Sequence, residues 1–322
     1  MEKIIRIGTR DSQLAVWQAT LVQNLLAEKG FKSELVPLKS AGDIDLVTPL
    51  YEIGVQGVFT KALDAAMLSD KFDIAVHSMK DVPTQLALGL VQSAVLPRAS
   101  HKDIFVYKGD ITALSSNLGF ENGKWLSIPT ENQPPFTIAT SSIRRKSQWL
   151  NRYPKHTIEN LRGNVNTRLR KVEESNWNGA IFAAAGVERI KVRPENSIEL
   201  DWMLPAPAQG AIMIVCKEDD SFSKDACALL NDKSTALCAK IERDFLRALM
   251  GGCSTPISAL AEIKGDFVHF KGNIFSLDGT QKAETEKKVF VNEAENLGTT
   301  AALEVLETGG KQIVENIRNA AI

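Results

Sequence analysis

The chain opens with short apolar runs that alternate with amphipathic stretches. The apolar run over 3–8 is typical of a strand, and the next apolar residues recur every three or four positions, as on one face of a helix. Asp11 or Ser12 can cap that helix, and Gly30 can end it. The next elements are predicted as strands over 31–38, 73–77 and 90–96 and a helix over 60–69. Strands alternating with helices indicate βαβ units and a largely parallel sheet.

A change of composition separates this pattern from a second one. Residues 109–135 are rich in Gly, Ser, Asn and Pro, which indicates a linker or a surface insertion. The alternation then restarts, with strands over 136–140, 157–161 and 180–184 and helices over 141–151 and 164–175. We therefore predict a second α/β unit of about 100 residues. Pro205-Ala206-Pro207 interrupts the pattern before another apolar strand over 211–216.

The last third of the chain has a different pattern. Apolar residues four apart predict a helix over 236–249, which Gly251-Gly252 would stop just before Cys253. Three strands and then two helices are predicted over 256–263, 267–275, 285–291, 297–307 and 310–320. Consecutive strands followed by helices indicate a small α+β domain with an antiparallel sheet.

Length and composition fit a globular protein of two or three domains. The chain has 322 residues, of which 44% are hydrophobic and 24% charged, and its net charge is −1. That balance argues against a dedicated nucleic-acid binder. Neither an apolar run long enough for a membrane span nor a signal-peptide segment is expected. Four cysteines do not suggest a disulfide scaffold, so we expect a cytoplasmic protein.

Positive charge is concentrated in one stretch. Residues 141–193 hold 12 Lys or Arg and 4 Asp or Glu, a local charge of +8, whereas the remainder is acidic. Several of these arginines follow predicted strand ends, where helix N–H groups favour anions. In a doubly wound sheet such ends line one crevice, and Arg suits carboxylate or phosphate. The candidates are Ser142, Arg144, Arg145, Arg162, Arg168 and Arg189, with Arg10 and Ser12 at the equivalent junction of the first unit.

Each of these residues also has an ordinary structural explanation. The basic side chains could form solvated helix faces with i,i+4 pairs, and Arg10 and Ser12 could be a surface arginine and a helix cap. RNA is another possible ligand, although no aromatic residues are interleaved to stack bases. The convergence of several junctions favours a multiply anionic ligand.

Asp81 is the candidate acid or base. It follows the strand that ends near His77 and lies next to Lys80, so it would face a cleft and could stabilise a developing cation. The alternative is a turn Asp before Val-Pro, and His77 itself fits a packed strand histidine. Cys253 alone among the cysteines follows a Gly-Gly loop, where a thiol could do covalent chemistry or be inert. The other three fit structural roles, and no Cys-x-x-Cys spacing suggests a metal site.

Seven segments, in order, resemble the porphobilinogen deaminase (hydroxymethylbilane synthase) family. They are IRIGTRDSQLAVWQA, AVHSMKDVPT, ATSSIRRKSQ, LRGNVNTRLRK, AAAGVERI, PAPAQGAI and ERDFLRALMGGCSTPI, and they cover almost the whole chain. The resemblance implies a transferase that couples four porphobilinogen molecules head to tail, with release of ammonia, into hydroxymethylbilane for haem biosynthesis. It also implies a dipyrromethane primer, one per chain, joined to a cysteine by a thioether.

The resemblance assigns roles to residues of this chain. Asp81 corresponds to the catalytic carboxylate, Cys253 to the cysteine that carries the dipyrromethane, and Lys80 to a further cofactor contact. The groups expected around the acetate and propionate side chains of cofactor and substrate are Arg10, Ser12, Ser142, Arg144, Arg145, Arg162, Arg168 and Arg189.

The family fold is two periplasmic-binding-protein-like, doubly wound α/β domains plus a smaller α+β domain with an antiparallel sheet. For this chain it implies a first domain over 1–104 and 206–230, a second over 105–205 and a third over 231–322. The resemblance further implies a monomer whose product passes to uroporphyrinogen-III synthase, with no nucleic-acid or membrane partner.

The chain departs from the family pattern at several points. The usual Gly-Gly-Lys-Gly is Gly54-Val55-Gln56-Gly57 here, Met250 replaces a Glu, and 113–135 looks inserted. None of these changes removes Asp81 or Cys253, so they bear on loop motion and kinetics more than on reaction class. A non-enzymatic two-lobed binding protein and an RNA-binding protein are the alternatives. Only the enzyme should colour with Ehrlich's reagent, which detects an attached pyrrole.

Overall fold

The computed structural model describes four stretches of the chain, residues 3–38, 60–126, 135–249 and 255–320. Cys253, Met250 and the 54–57 segment lie outside the described residues, as do residues 127–134 of the predicted insertion.

Strands and helices alternate through the first two thirds of the chain. The strands are β1 (Ile5–Arg10), β2 (Ser33–Leu38), β3 (Ile74–Ser78), β4 (Leu90–Val95), β5 (Asp103–Tyr107), β6 (Phe120–Glu121), β7 (Lys124–Trp125), β8 (Thr137–Ala139), β9 (Thr157–Glu159), β10 (Gly179–Ala183), β11 (Ser197–Glu199), β12 (Ile212–Lys217), β13 (Ile257–Lys264), β14 (Phe267–Phe275) and β15 (Lys282–Phe290). The α-helices are α1 (Gln13–Glu28), α2 (Lys61–Leu68), α3 (Ile111–Leu118), α4 (Ile143–Arg152), α5 (Val165–Glu174), α6 (Ala184–Arg189), α7 (Ser221–Ala228), α8 (Lys233–Ala248), α9 (Leu297–Val305) and α10 (Lys311–Ala320). A 3-10 helix of one turn, Met79–Asp81, follows β3.

The first lobe is built on a five-stranded sheet in the order β2-β1-β3-β12-β4. Apolar side chains cover both faces because successive strand residues alternate between them. Leu26 of α1 packs on one face and Leu63 of α2 on the other. Gly8 is required in β1, since a Cβ there would lie 2.3 Å from the Phe72 ring.

The second lobe has a five-stranded sheet in the order β11-β5-β10-β8-β9. Aromatic side chains fill one face, where Trp149 of α4 lies 5.3 Å from Phe105, centroid to centroid. Val172 of α5 and Phe182 belong to the core on the other side. The doubly wound α/β architecture predicted for both units is therefore confirmed.

Both sheets are mixed, whereas the sequence pattern predicted largely parallel ones. β12 is antiparallel to β3 and β4, and β5 is antiparallel to β10 and β11. The reason in the first lobe is the route of the chain. It returns from the second lobe beside the end of β3, where Ile212 pairs with Ser78, so β12 must run back along its neighbour.

The part of the 109–135 segment that the structure describes is folded, which favours a surface insertion over a linker. Asp110 caps α3 by accepting a hydrogen bond from Thr112 N. The β6–β7 hairpin follows, and Trp125 donates through Nε1 to Glu199 O at 2.8 Å. The Trp125 ring packs against the aromatic core, so this segment covers the second lobe.

The third lobe is the predicted antiparallel α+β unit. Its sheet has the order β13-β14-β15, and α8 and α9 pack on it around Phe245. The turn between β14 and β15 docks on α4 of the second lobe, where Asn151 Nδ2 donates to Gly279 O at 2.8 Å. Gly279 has a φ of +76°, and a Cβ there would lie 2.4 Å from Ser147 O.

One buried carboxylate of the third lobe holds both segments in which the chain crosses between the first and second sheets. Glu242 of α8 accepts from both Nη atoms of Arg98 at 2.8 Å. It also accepts from the backbone N–H groups of Ala208 at 2.6 Å and Ala261 at 2.7 Å. Arg98 follows the first sheet, Ala208 precedes β12 and Ala261 lies in β13. The three main sheets occur along the chain in the order of the three predicted domains. The residue bounds of those domains stay a prediction.

Candidate active site

The predicted site residues follow the carboxyl ends of strands in the first two lobes. Arg10 ends β1, and Asp81 ends the turn after β3. Ser142 caps α4, its hydroxyl accepting from Arg145 N at 3.5 Å. Ser12 occupies the same position before α1, but among the described residues its hydroxyl makes no capping bond. Parallel neighbours place such ends at one edge of a sheet, so these residues share one side of each lobe.

Arg144 and Arg145 are braced by a buried carboxylate. Arg144 Nη2 donates to Asp103 Oδ2 at 2.7 Å, and Arg145 donates to Oδ1 through Nε at 3.1 Å and Nη2 at 2.6 Å. Burial raises the pKa of Asp103, but the two guanidinium charges outweigh it and hold that pKa well below its ordinary value. The pair is buried, so it is not a solvated basic helix face.

Lys80 is joined to the same arginine pair through an amide. Its Nζ donates to Gln209 Oε1 at 3.3 Å, and Gln209 Nε2 donates to Asp103 Oδ1 at 3.0 Å. Burial lowers the pKa of Lys80 to about 8, while the charge of Asp81 raises it and that of Arg145 lowers it. A continuous polar network therefore runs from the Asp81 turn to the arginine pair.

Arg168 lies among several like charges. Burial, together with the charges of Arg145, Arg162 and Arg10, lowers its pKa to about 10. The negative charge of Asp81 raises the pKa of Arg168. Arg162 is 2% exposed. This side of the cleft thus brings at least four guanidinium groups close to one carboxylate, an arrangement that suits an anionic ligand.

Arg189 lies where the second lobe meets the first. Its Nη2 donates to Gly210 O at 2.7 Å, and its guanidinium carbon lies 5.8 Å from the Trp17 ring. Burial lowers the pKa of Arg189 to about 10. A second bridge between the lobes joins two neutral side chains, with Asn166 Nδ2 donating to Gln13 Oε1 at 2.7 Å. Arg189 therefore fastens α6 against α1 as well as lying beside the cleft.

The residues expected to be structural have structural surroundings. His77 is buried in β3, and burial together with the charge of Arg10 lowers its pKa to about 4, so it is neutral at pH 7. Cys216, Cys227 and Cys238 are buried and unbridged. Burial raises the pKa of all three thiols, to about 12 for Cys227 and about 11 for Cys238, which keeps them protonated.

Two members of the polar network, Asp103 and Gln209, were not singled out from the sequence. Asp103 begins an apolar run, Ile104 to Tyr107, and an acidic residue at a strand start next to such a run was the available signal. Gln209 lies within the PAPAQGAI segment, but its amide connects residues far apart in the chain, which no local pattern shows.

The fold and the site together define a class of protein with two α/β lobes and a third, smaller lobe, whose buried arginines suit an acidic small molecule. The comparisons with known proteins are specific. The family model for the porphobilinogen deaminase dipyrromethane cofactor binding domain matches residues 5–225, and the model for its C-terminal domain matches residues 236–307. A curated porphobilinogen deaminase from Chlorobium phaeobacteroides (strain BS1) is 37% identical over 326 residues, covering 99% of each chain. The chain belongs to the porphobilinogen deaminase family.

Membership in the family confirms the activity predicted from the seven segments. The protein is a transferase of tetrapyrrole biosynthesis that makes hydroxymethylbilane from porphobilinogen and uses a dipyrromethane cofactor. The alternatives of a non-enzymatic binding protein and an RNA-binding protein are thereby set aside. None of the helices within the described stretches is long and apolar enough to cross a membrane.

Two solved structures show a low overall likeness. The methionine-binding protein MetQ is 15% identical with a TM-score of 0.43, covering 70% of this chain and 89% of its own. The probable amino-acid transporter extracellular-binding protein ytmK from Bacillus subtilis is 11% identical with a TM-score of 0.40, covering 71% and 90%.

Proposed function

We propose that Asp81 is the carboxylate that acts on porphobilinogen. The negative charges of two carboxylates, Asp81 and Asp103, raise the pKa of Lys80. Asp103 is fully buried behind the arginine pair, whereas Asp81 is half-buried at the end of the turn after β3. Loss of ammonia from porphobilinogen leaves an electron-poor pyrrole methylene cation. A carboxylate held next to that cation lowers the free energy of the transition state that forms it.

We propose that the buried cations bind the acidic side chains of the substrate and of the growing chain. Each porphobilinogen carries an acetate and a propionate, so negative charge accumulates with every addition. Arg10, Arg162 and Arg168 lie with Asp81 in one electrostatic cluster, and burial together with neighbouring positive charges lowers the pKa of Arg168. Carboxylates at this cluster would restore the balance through charge-assisted hydrogen bonds.

The same donor set fits the dipyrromethane. That cofactor is itself built of two acid-bearing pyrroles, and cationic groups with excess buried charge are the complement that it needs. When bound, it supplies the pyrrole to which the first substrate is joined. We propose that Cys253 carries it and that Lys80, Ser12, Ser142, Arg144, Arg145 and Arg189 contribute to holding it. Arg144 and Arg145 act in part by keeping the Asp103–Gln209–Lys80 network in place.

The proposed role of Asp81 is tested by two substitutions. Asp81→Glu keeps the negative charge and moves it by one methylene, whereas Asp81→Asn keeps the shape and removes the charge. We expect some single-turnover coupling of porphobilinogen with Glu and almost none with Asn, because the carboxylate acts mainly in the transition state.

Ehrlich's reagent and intact-protein mass supply the control. Both Asp81 variants should keep a two-pyrrole adduct, and Cys253→Ala should give the unloaded reference. If Asp81 merely shaped the turn before Val82-Pro83, Asn would be the milder change, since Asn is a good turn residue. A faster Asn than Glu variant would therefore contradict the assignment.

We infer further that the enzyme is a cytoplasmic monomer whose product is consumed by uroporphyrinogen-III synthase. Three buried free thiols suit a reducing compartment. Hydroxymethylbilane is the product of this family, so the next enzyme must accept a linear tetrapyrrole with eight carboxylates.

A further inference from the structure

A side chain of the third lobe holds the turn that carries Asp81. Arg243 of α8 donates through Nη1 to Met79 O at 3.3 Å and to Val82 O at 2.8 Å. Its Nη2 donates to Pro83 O at 2.6 Å. These carbonyls lie two positions before Asp81 and one and two positions after it. One guanidinium therefore ties both sides of the turn to α8.

The turn needs such a partner because of its own backbone. The turn's own hydrogen bond runs from Val82 N to Met79 O at 3.2 Å, so the Val82 and Pro83 carbonyls lie beyond it and need donors from elsewhere. Pro83 has no N–H and ends the segment, so the chain cannot continue as a helix to satisfy them. Arg suits this task, since its planar guanidinium carries five N–H donors in a fixed fork and can serve three acceptors.

The entry to the turn is held separately by the first lobe. Met79 N donates to Ala211 O at 3.0 Å, and Lys80 is bound to Gln209. The first lobe thus fixes the start of the turn, and Arg243 fixes its exit. Between these anchors, the Asp81 carboxylate retains little freedom beyond its own side-chain torsions.

We propose that Arg243 is a positioning residue for the coupling reaction, because its guanidinium holds the Met79, Val82 and Pro83 carbonyls and thereby sets the place of the Asp81 carboxylate. This inference rests on the proposed role of Asp81. The helix that carries Arg243 also leads along the chain toward Cys253. A single contact therefore relates the acidic turn of the first lobe to the lobe that bears the attachment cysteine.

Arg247 provides a matched control on the same helix. It lies one turn further along α8, is 61% exposed in its side chain and pairs with Asp244 at 2.7 Å. Arg247→Gln removes the same charge from α8 without touching the Asp81 turn. A general effect of charge on α8 would appear in both variants, whereas an effect through the turn would appear only at Arg243.

The experiment compares the variants after their dipyrromethane content has been checked by Ehrlich's reagent and intact mass. We expect Arg243→Gln to lower kcat for porphobilinogen by about 10- to 100-fold, with KM changed far less, because a misplaced catalytic group costs rate rather than affinity. Arg243→Lys should recover part of kcat, since one ammonium can still serve some of the carbonyls. Arg247→Gln should match the wild type. A loss confined to KM in the Arg243 variants would overturn the proposal.

A double-mutant cycle with Asp81→Glu separates this inference from the one it rests on. If Arg243 acts through Asp81, the two losses in kcat should not multiply in the double variant. An Asp81→Glu variant as fast as the wild type would contradict the role of Asp81 itself. Slow Asp81→Glu with multiplicative losses would leave Asp81 catalytic and overturn the role of Arg243. Should Arg243→Gln fail to fold or to load, the same cycle is run with Arg243→Lys, and the same two outcomes decide it.

Discussion

At the scale of single residues, the cleft arginines differ in what they contact. Arg144 and Arg145 face a carboxylate of their own protein, whereas Arg168 has like charges as its main electrostatic neighbours. A guanidinium already paired with Asp103 contributes to stability and to the shape of the cleft. A guanidinium surrounded by positive charge gains most when an anion arrives. The two kinds should respond differently to substitution.

Asp103→Asn tests the structural half of this contrast. The substitution leaves two buried guanidinium groups without their counter-charge, so we expect it to lower the free energy of unfolding by about 3–5 kcal/mol. Asp201→Asn is the control, because Asp201 pairs with Lys102 on the surface and is 57% exposed. That change should cost less than about 0.5 kcal/mol. Urea unfolding of both variants gives the comparison, and equal losses would mean that the buried pair is not a special source of stability.

At the scale of elements, the sequence pattern was informative wherever one face of a segment is buried. The sequence predicted β14 over 267–275 with the bounds that the structure has, and α5 to within one residue at each end. β5 was not predicted, and the residues of β10 that pair with it lie 72 to 80 positions later in the chain.

Some residues of the site could likewise be placed from the sequence, and the contacts between them could not. Asp81 and Lys80 could be placed at a strand end from local pattern alone, and their roles came from the resemblance. The Asp103–Arg144 contact could not be predicted, since it joins residues 41 positions apart through a strand that the pattern missed. The three carbonyl contacts of Arg243 depend on the packing of α8 against the first lobe, which hydrophobic periodicity does not encode.

The hairpin turn that docks on α4 gives a prediction at this scale. Gly279→Ala and Gly265→Ala both place a Cβ at a positive φ, so both should lose about 1–2 kcal/mol to backbone strain. Nothing lies within 4 Å of a Cβ at Gly265, whereas a Cβ at Gly279 would lie 2.4 Å from Ser147 O. We therefore expect Gly279→Ala to be the more destabilising by about 1–3 kcal/mol. Thermal or urea unfolding measures the difference, and equal losses would show that the turn adapts without cost.

At the scale of the whole molecule, buried titratable groups set how stability depends on pH. His77 in the first lobe and His156 in the second both have pKa values lowered by burial to about 4. Between pH 6.5 and 4 the unfolded chain binds protons at these positions that the folded chain does not. Stability therefore falls as pH drops below about 6.5. Burial raises the pKa of Asp64 to about 6, and this group acts in the opposite direction over the same range.

Asp64→Asn should therefore make the decline steeper. The Asp64 carboxyl binds its proton more readily in the folded state, so it offsets part of the stability that His77 and His156 lose as the pH falls. The substitution removes that offset. Urea midpoints measured at pH 7, 6 and 5 for the wild type and the variant test this. A variant curve parallel to that of the wild type would contradict the sign assigned to Asp64.

The contacts between the lobes are graded in strength from the centre outwards. At the centre, Glu242 holds Arg98 and two backbone amides inside the protein. At the rim of the cleft, Asn166 and Gln13 share one exposed hydrogen bond between neutral amides, which is worth about 1 kcal/mol. The buried contacts of Glu242 are therefore much stronger than the exposed contact between Asn166 and Gln13 at the opening of the cleft. The Asn166–Gln13 bond breaks at little cost, but Arg189 also joins the two lobes through Gly210 O and the Trp17 ring, so widening the cleft for another ring requires both contacts to open. The buried Glu242 contacts can stay closed while that happens.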